Sequence, residues 1–335
     1  MAVQGADLQQ GTPLVAGGLE SLMREGELPA APPRGEPGQP VTSRRITSLS
    51  VVVPAKNEAA NLGSLLDEVH AVLRAEAGLS YEILLIDDGS SDTTPQLARA
   101  RGCRVVSHAE SLGNGAAVKR GIREARHAWV LLLDGDGQHP PACVPDLLAA
   151  GERYDMVVGS RGGRGGEWHR NLANQIYNRL ASYVTNRRIP DLTSGFRLVR
   201  ADAAKGFCYL LPNTFSYPTT LTLSLLRAGY SVGFVPFPVR ARQGKSHIHL
   251  LRDGSRFLLI ILRIATFFAP LRVFGPLALG FAALGIGWYL YTYFARHQFT
   301  NMAGLLLTQA TVIFVLGLIS EQIAAMRFER AEGQR

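Results

Sequence analysis

The sequence predicts an α/β protein: a doubly wound, mostly parallel sheet, then an interfacial amphipathic helix, then a C-terminal two-helix transmembrane hairpin. Three observations predict it. Short runs that are apolar throughout alternate with helical patterns over residues 46–160. Polar, Gly- and Asp-rich clusters follow four of those runs. Two long uncharged stretches lie near the end of the chain.

Residues 1–45 are rich in Gly, Pro, Ala and Glu without apolar period, so a disordered tail is expected. They hold no apolar run fit to be a signal-peptide core, and export is not expected. Next come the runs at 50–54 (SVVVP), 82–86 (EILLI), 104–107, 129–133 (WVLLL) and 156–158. Apolar on both faces, they fit parallel strands covered by helices. Between the first two, Leu62, Leu65, Leu66, Val69, Val72 and Leu73 share one helical face. Thr94–Pro95 reads as a helix cap followed by a first-turn proline. In such a sheet ligands bind at the carboxyl ends of the strands. PAKNE, DDGSSD, DGDGQH and GSR stand there, after the first, second, fourth and fifth runs. Residues 161–246 are less regular and more basic, and the main domain is expected over 46–246.

From 247 the chain changes character. On a helix, His249, Arg252, Arg256 and Arg263 fall within about 60° of one another, with leucine, isoleucine and phenylalanine elsewhere around it. Residues 247–271 thus read as a juxtamembrane helix lying on a bilayer. Spans are expected at about 273–294 and 299–321, joined by a short loop, with a short tail at 326–335. Arginines flank the hairpin at 252, 256, 263, 272, 327 and 330, and the loop holds one. The positive-inside rule puts the main domain and both termini in the cytoplasm.

Composition agrees. Of 335 residues, 47% are hydrophobic and 19% charged, which excludes a largely disordered chain. Three scattered cysteines, Cys103, Cys143 and Cys208, exclude a disulfide scaffold and read as buried structural thiols. The net charge of +8 is compatible with nucleic acid, anionic membrane or a phosphorylated substrate.

Asp134 and Asp136 are the most informative pair. Two hard oxygen donors at a buried strand end, with Gly135 and Gly137 allowing close approach, suit Mg²⁺ or Mn²⁺ bridging to diphosphate oxygens. Gln138 and His139 are candidates to complete the shell. Asp87 or Asp88 can accept from a base N–H or ribose hydroxyl, while Asp92 reads as cap chemistry.

Taken in order, VVVPAKNEAANL, DDGSSD, SLGNGAAVKRG, DGDGQHPP, GSR, DLTSGFRL and RQGKS resemble the family 2 glycosyltransferases of the GT-A fold. With the hairpin, the set is similar to the polyprenyl-phosphate subgroup, which includes dolichol-phosphate mannosyltransferase and undecaprenyl-phosphate glucosyltransferases. The resemblance covers roughly residues 48–325. It implies a UDP- or GDP-sugar donor, a polyprenyl (undecaprenyl or dolichyl) phosphate acceptor, the bilayer as partner, and a divalent metal. By the same resemblance Pro54, Asn57 and Glu58 match the first donor motif, and Asp87 and Asp88 the nucleoside acids. Asp134, Gly135, Asp136 and Gln138 match the metal and diphosphate motif. Arg161 matches a position near the transferring phosphates. Arg242, Gly244 and Ser246 match a late Arg-x-Gly-x-Ser motif over the donor diphosphate, with His247 where lysine is common. Arg170 and Asn174 match acceptor-phosphate positions. Asp191 is either a positioning residue or a weak base. A polyprenyl phosphate is already an anion, so a strong base is dispensable and single displacement implies inversion.

Other readings are weaker. GKS at 244–246 lacks the phosphate-loop glycine, since position 239 is Val. No GxGxxG follows the first strand, which argues against a dehydrogenase. RGGRGG at 161–166 lacks stacking aromatics, so nucleic acid is not expected as a partner and a mobile active-site loop fits better. Polysaccharide synthases of family 2 carry Gln-x-x-Arg-Trp, whereas Gln175 is followed by IYNR. A non-catalytic membrane-anchored scaffold of the same fold is the alternative of another class, and homo-oligomerisation is left open.

Overall fold

A computed structural model describes residues 45–161, 175, 178–179, 181–183, 185–213, 216–238, 266–298 and 300–332. The expected tail at 1–45 falls outside these residues except for Arg45. Of the interfacial helix expected at 247–271 only 266–271 are described, where the first transmembrane helix already begins at Pro270 and not at 273.

Strands β1 (Ser48–Ala55), β2 (Ser80–Asp87), β3 (Arg104–Ser107), β4 (Trp129–Leu132), β5 (Met156–Arg161), β6 (Arg197–Arg200) and β7 (Val232–Phe237) form one sheet. Its order is β3-β2-β1-β4-β6-β5-β7. β1, β2, β3 and β4 run parallel, and β6 is antiparallel to both β4 and β5. The sheet is therefore mixed, with one reversed strand in a frame that is otherwise parallel. β1 connects to β2 on one side and pairs with β4 on the other, so the strand order reverses between β1 and β4. In folds of this kind ligands bind at the carboxyl ends of the strands on either side of such a reversal.

Helices α1 (Ala59–Ala75), α2 (Thr94–Ala100), α3 (Asn114–Glu124), α4 (Val144–Gly151), α5 (Ala201–Phe207) and α6 (Tyr217–Arg227) cover the two faces. On one face Val51 and Val53 of β1 pack with Leu62, Leu66 and Val69 of α1 and Leu147 of α4. On the other, Val52, Leu84 and Ile86 pack with Ala117, Val118 and Ile122 of α3 and Leu221 of α6. Alternate β1 residues thus feed opposite cores, which is why the run carries no polar alternation. Val72 is only partly buried, and the other five α1 positions form its core stripe. Cys103 and Cys208 are buried as expected, and burial pushes the Cys103 thiol up to about 11. Cys143 is only half-buried, contrary to the expectation of three buried thiols, because it precedes α4 at the sheet margin.

The chain ends in α7 (Pro270–Arg296) and α8 (Asn301–Glu332), both longer than the spans read from sequence. Each carries a stretch long and apolar enough to cross a bilayer, of which 11% and 22% respectively is buried within the protein. So much exposed apolar surface needs an apolar solvent. His297 adopts a left-handed conformation and its N–H bonds the Tyr293 carbonyl, closing α7. Small residues let the helices approach: a Cβ on Gly317 would lie 2.8 Å from Phe274 Cβ.

Gly121 has the same function in α3, where an added Cβ would meet Val52 Cγ1 at 2.2 Å. Gly121→Ala should destabilise the domain by about 1–3 kcal/mol through overpacking, read as a lowered unfolding midpoint in detergent. An unchanged midpoint would mean that α3 shifts away from β1 without cost.

Candidate active site

The site is built from the loops that leave β1, β2, β4 and β5, plus the segment entering β6. Asn57, in a left-handed conformation, turns the chain after β1. Its Oδ1 accepts from the Ser91 N–H at 2.8 Å and its own N–H donates to Ser90 Oγ at 3.0 Å. The Glu58 N–H donates to Thr94 Oγ1 at 3.0 Å, and the Ala59 N–H to Asp92 Oδ2 at 3.2 Å. Asp92 Oδ1 also accepts from the Thr94 N–H at 2.9 Å. Asp92 therefore joins α1 and α2, a structural role as the sequence reading has it, whereas the cap of α2 is Thr93 and not Thr94, which already lies in the helix with Pro95.

Asp87 accepts the Ser90 N–H at 2.9 Å, a tight turn at the end of β2. Asp88 reaches sideways. Its Oδ1 accepts from His108 Nδ1 and the Leu112 N–H, and its Oδ2 from Ser111 Oγ and the Gly113 N–H, all within 2.7–2.9 Å. Burial would raise this carboxyl, but the four donors outweigh it and hold it down at about 2. The loop after β3 is thereby fixed to the end of β2.

Across the switch point, Gly135 brings the Asp134–Asp136 loop against β1. A Cβ there would lie 3.2 Å from the Pro54 carbonyl oxygen and 3.7 Å from Glu58 Cγ. Pro54, Glu58, Asp134, Gly135 and Asp136 thus meet at one crevice. Asp134 lies beneath the segment before β6, since a Cβ on Gly195 would fall 2.3 Å from Asp134 Oδ2. Among the described residues no donor comes within hydrogen-bond distance of the Asp134 carboxylate. His139 Nδ1 stands 3.9 Å away. The His139 ring stacks on Phe196 with centroids 5.3 Å apart and meets Phe237 edge-on. Its Nδ1 is buried with no hydrogen-bond partner among the described residues. Burial pushes the Asp134 carboxyl up; His139 and Arg161 oppose the shift and the Asp136 charge adds to it. Burial likewise pushes His139 down, towards the neutral ring.

Asp136 accepts from the Gln138 N–H at 3.1 Å and from Gln138 Nε2 at 2.6 Å. No cluster of three His, Cys, Asp or Glu side chains arranged for a metal exists among the described residues. What they offer is two carboxylates and one amide. The fit to a divalent cation rests on Asp134 and His139: a partly exposed carboxylate without a donor among the described residues, beside a buried ring nitrogen that has no partner there either. Such a pair is better satisfied by a cation that draws further oxygens from diphosphate and water than by the protein alone.

Opposite lies an ion pair. Arg161 Nε donates to Asp191 Oδ2 at 2.8 Å and Nη2 to Oδ1 at 3.0 Å, a bidentate fork. Asp191 also accepts the N–H groups of Arg161, Thr193 and Ser194, each at 3.1 Å. Burial alone would raise the Asp191 carboxyl, yet the guanidinium and these N–H groups hold it below the usual range. Its lone pairs are therefore committed to aiming Arg161.

Arg197 was overlooked in the sequence, although it lies within DLTSGFRL. It is fully buried. Its guanidinium donates to the carbonyls of Ser194 and Pro218 at 2.6 Å and of Leu192 at 2.8 Å, and to Thr222 Oγ1. Burial lowers its pKa to about 10. It holds the 191–196 segment against α6. Arg170, Asn174, Arg242, Gly244 and Ser246, and the Gly-rich run at 162–166, lie outside the described residues.

Comparisons with known proteins agree with this architecture. The model for glycosyl transferase family 2 matches residues 50–207, and that for the GtrB C-terminal hairpin matches residues 269–326. Glycosyltransferase AglJ of Haloferax volcanii is 27% identical over 300 residues, covering 84% of this chain and 96% of the relative. The dolichyl-phosphate hexose transferase of the same organism is 29% identical over 219 residues, 64% of this chain and 92% of the relative. Among solved structures, glucosyl-3-phosphoglycerate synthase from Mycobacterium tuberculosis with Mn²⁺ and UDP-glucose superposes with a TM-score of 0.52. It is 22% identical and covers 68% of this chain and 83% of that one, a likeness of fold.

The Asp88 cluster has a measurable pH signature. A carboxyl held at about 2 in the fold, against an ordinary 3.8, contributes stability that is present above about pH 4. That stability, of about 2 kcal/mol, is lost as pH falls towards 2. Asp88→Asn should lower the unfolding midpoint at pH 6 and flatten its fall between pH 4 and 2. An acid limb as steep as that of the parent would place the acid sensitivity elsewhere.

Proposed function

We propose that this chain, a glycosyltransferase with a family 2 domain and a GtrB-type hairpin, moves a sugar from a UDP- or GDP-sugar to the phosphate of a polyprenyl lipid. The observation that carries the reading is one juxtaposition. A crevice with two carboxylates at the β1/β4 switch point belongs to the same chain as two long helices that leave most of their apolar surface uncovered. Relatives named for dolichyl-phosphate hexose transfer support the acceptor class.

The roles follow from the chemistry. The loops after β1 and β2 hold the nucleoside, with Asp87 and Asp88 at that end and Pro54, Asn57 and Glu58 lining the approach to Gly135. Asp134, Asp136 and Gln138 are the groups that would hold a divalent cation, which when bound supplies charge neutralisation for the donor diphosphate. Arg161, aimed by Asp191, faces the same charge and offers a guanidinium to phosphate oxygens. Asp191 acts as a positioning residue and not as a base, because its oxygens already accept from Arg161 and the loop N–H groups. A base is not needed, since the acceptor phosphate arrives ionised and its oxygen attacks the anomeric carbon as the bond to the nucleoside diphosphate breaks. One displacement inverts that carbon. Arg170 and Asn174 for the acceptor, and Arg242 and Ser246 for the donor diphosphate, are assigned by resemblance. The cytoplasmic leaflet follows from the arginine bias around the hairpin.

The test is nucleoside diphosphate release by the full chain in detergent, with undecaprenyl phosphate, Mg²⁺ or Mn²⁺, and a panel of UDP- and GDP-sugars. Release should need one donor, the acceptor and the metal. Asp136→Ala should reduce it by at least about a hundredfold without lowering the unfolding midpoint. Near-parental turnover in that variant, or release indifferent to the acceptor, would sink the reading.

A further inference from the structure

One carboxylate joins three helices where the hairpin meets the rest of the chain. Glu321 lies in α8, directly after the uncharged stretch of that helix. Its Oε1 accepts from Arg227 Nη2 at 3.1 Å, and its Oε2 from the Leu271 N–H at 3.2 Å. Arg227 is the last residue of α6 and Leu271 stands in the first turn of α7. Three helices therefore meet at one side chain. Next to it, Tyr183 Oη donates to the Arg272 carbonyl at 3.2 Å, and Arg272 Nη1 donates to the Tyr183 carbonyl at 2.7 Å. Ile189, Leu192, Leu223, Phe268 and Ala269 pack together, joining the 189–192 segment, α6 and the entry to α7.

From this joint α6 leads back to the site. Pro218 and Thr222, in the first half of α6, accept from Arg197. Arg197 in turn holds the carbonyls of Leu192 and Ser194, whose segment carries Asp191, and Asp191 grips Arg161. The hairpin is thus connected to Arg161 through hydrogen bonds and one rigid helix.

We propose that Glu321 is a positioning residue that registers the 191–196 segment and Arg161 to the membrane hairpin, and so sets how a bilayer-held acceptor phosphate meets the donor. The inference rests on the polyprenyl-phosphate reading given above. A phosphate pinned at the bilayer surface cannot shift to compensate for a displaced site, and misplacement of about 1 Å can cost about a hundredfold in rate. An apolar contact alone would let the two bodies slide. A carboxylate with one charged and one backbone donor fixes both distance and angle.

An ordinary exposed ion pair would contribute little, so the test separates acceptors. The full chain is placed in lipid discs as parent, Glu321→Gln, Arg227→Gln and the double variant. Each single change should lower transfer to an embedded long-chain polyprenyl phosphate by about five- to tenfold. Nucleotide affinity, and transfer to a short water-soluble polyprenyl phosphate in detergent, should stay at the parental level. The double variant should be no worse than either single one, and hydrogen exchange at 191–196 should accelerate in all three. Unchanged transfer to the embedded lipid, equal losses on both acceptors, or additive losses would each overturn the proposal. If Glu321→Gln does not fold, Glu321→Asp and Arg227→Gln give the same comparison. A parent inactive on every polyprenyl phosphate would refute the functional reading instead, and the exchange at 191–196 would still decide whether the joint couples to the site.

Discussion

The negative charge at the end of β4, without a hydrogen-bond donor among the described residues, is the constraint around which this site is organised. Asp134 follows a strand whose four residues are all buried, in the middle of the sheet, so its carboxylate stands at the crevice floor with 29% of its side chain open to solvent. The surroundings answer that constraint in detail. Gly195 gives up its side chain to make room. His139 is held flat by two phenylalanines with a bare nitrogen towards it. Locally three carboxylates, Asp134, Asp136 and Asp191, face two guanidiniums, Arg161 and Arg197. Asp191 and Arg161 satisfy each other, and Arg197 spends its donors on carbonyls and a hydroxyl. The balance that remains is negative at Asp134 and Asp136, which favours a cation.

The second organising element is Arg197, a buried cation that bonds to carbonyls of two segments and to no carboxylate. A charge so placed is tolerated only when its donors are met, and meeting them requires the 191–196 segment and α6 to stay in register. The 191–196 segment is thereby tied to the helix that docks the hairpin. The Asp88 cluster does the same at the other end of the crevice, linking β2 to the loop after β3. At each end of the crevice a loop is thus fixed to the scaffold by one charged side chain.

Much of this was legible in the sequence, for physical reasons. β1, β2 and β4 are apolar on both faces, so their runs stand out, and the acids that follow them can only sit at strand ends. The hairpin was legible because two uncharged stretches of that length are hard to reconcile with a water-exposed surface. β6 was not legible: it has four residues with arginine at both ends, and the reversed direction that makes the sheet mixed comes from pairing on both sides. β7 contains Gly233 and Pro236, which weaken any strand signal. Arg197 and Glu321 were missed because their meaning depends on partners 21 to 94 residues away. The one available hint for Glu321 was its position as the first charge after a long apolar stretch. Asp191 reads equally well as base or as positioner in the sequence, because its partner Arg161 lies 30 residues away.

The most direct measurement of the central claim is the chemical identity of the lipid product. Membranes containing the full chain would be given an isotope-labelled nucleotide sugar, and the labelled lipid analysed by mass spectrometry and NMR. The account predicts a single sugar joined through one phosphate to a polyprenol, with the anomeric configuration opposite to that of the donor. A diphosphate linkage, a retained configuration, or label only in a water-soluble acceptor would contradict it.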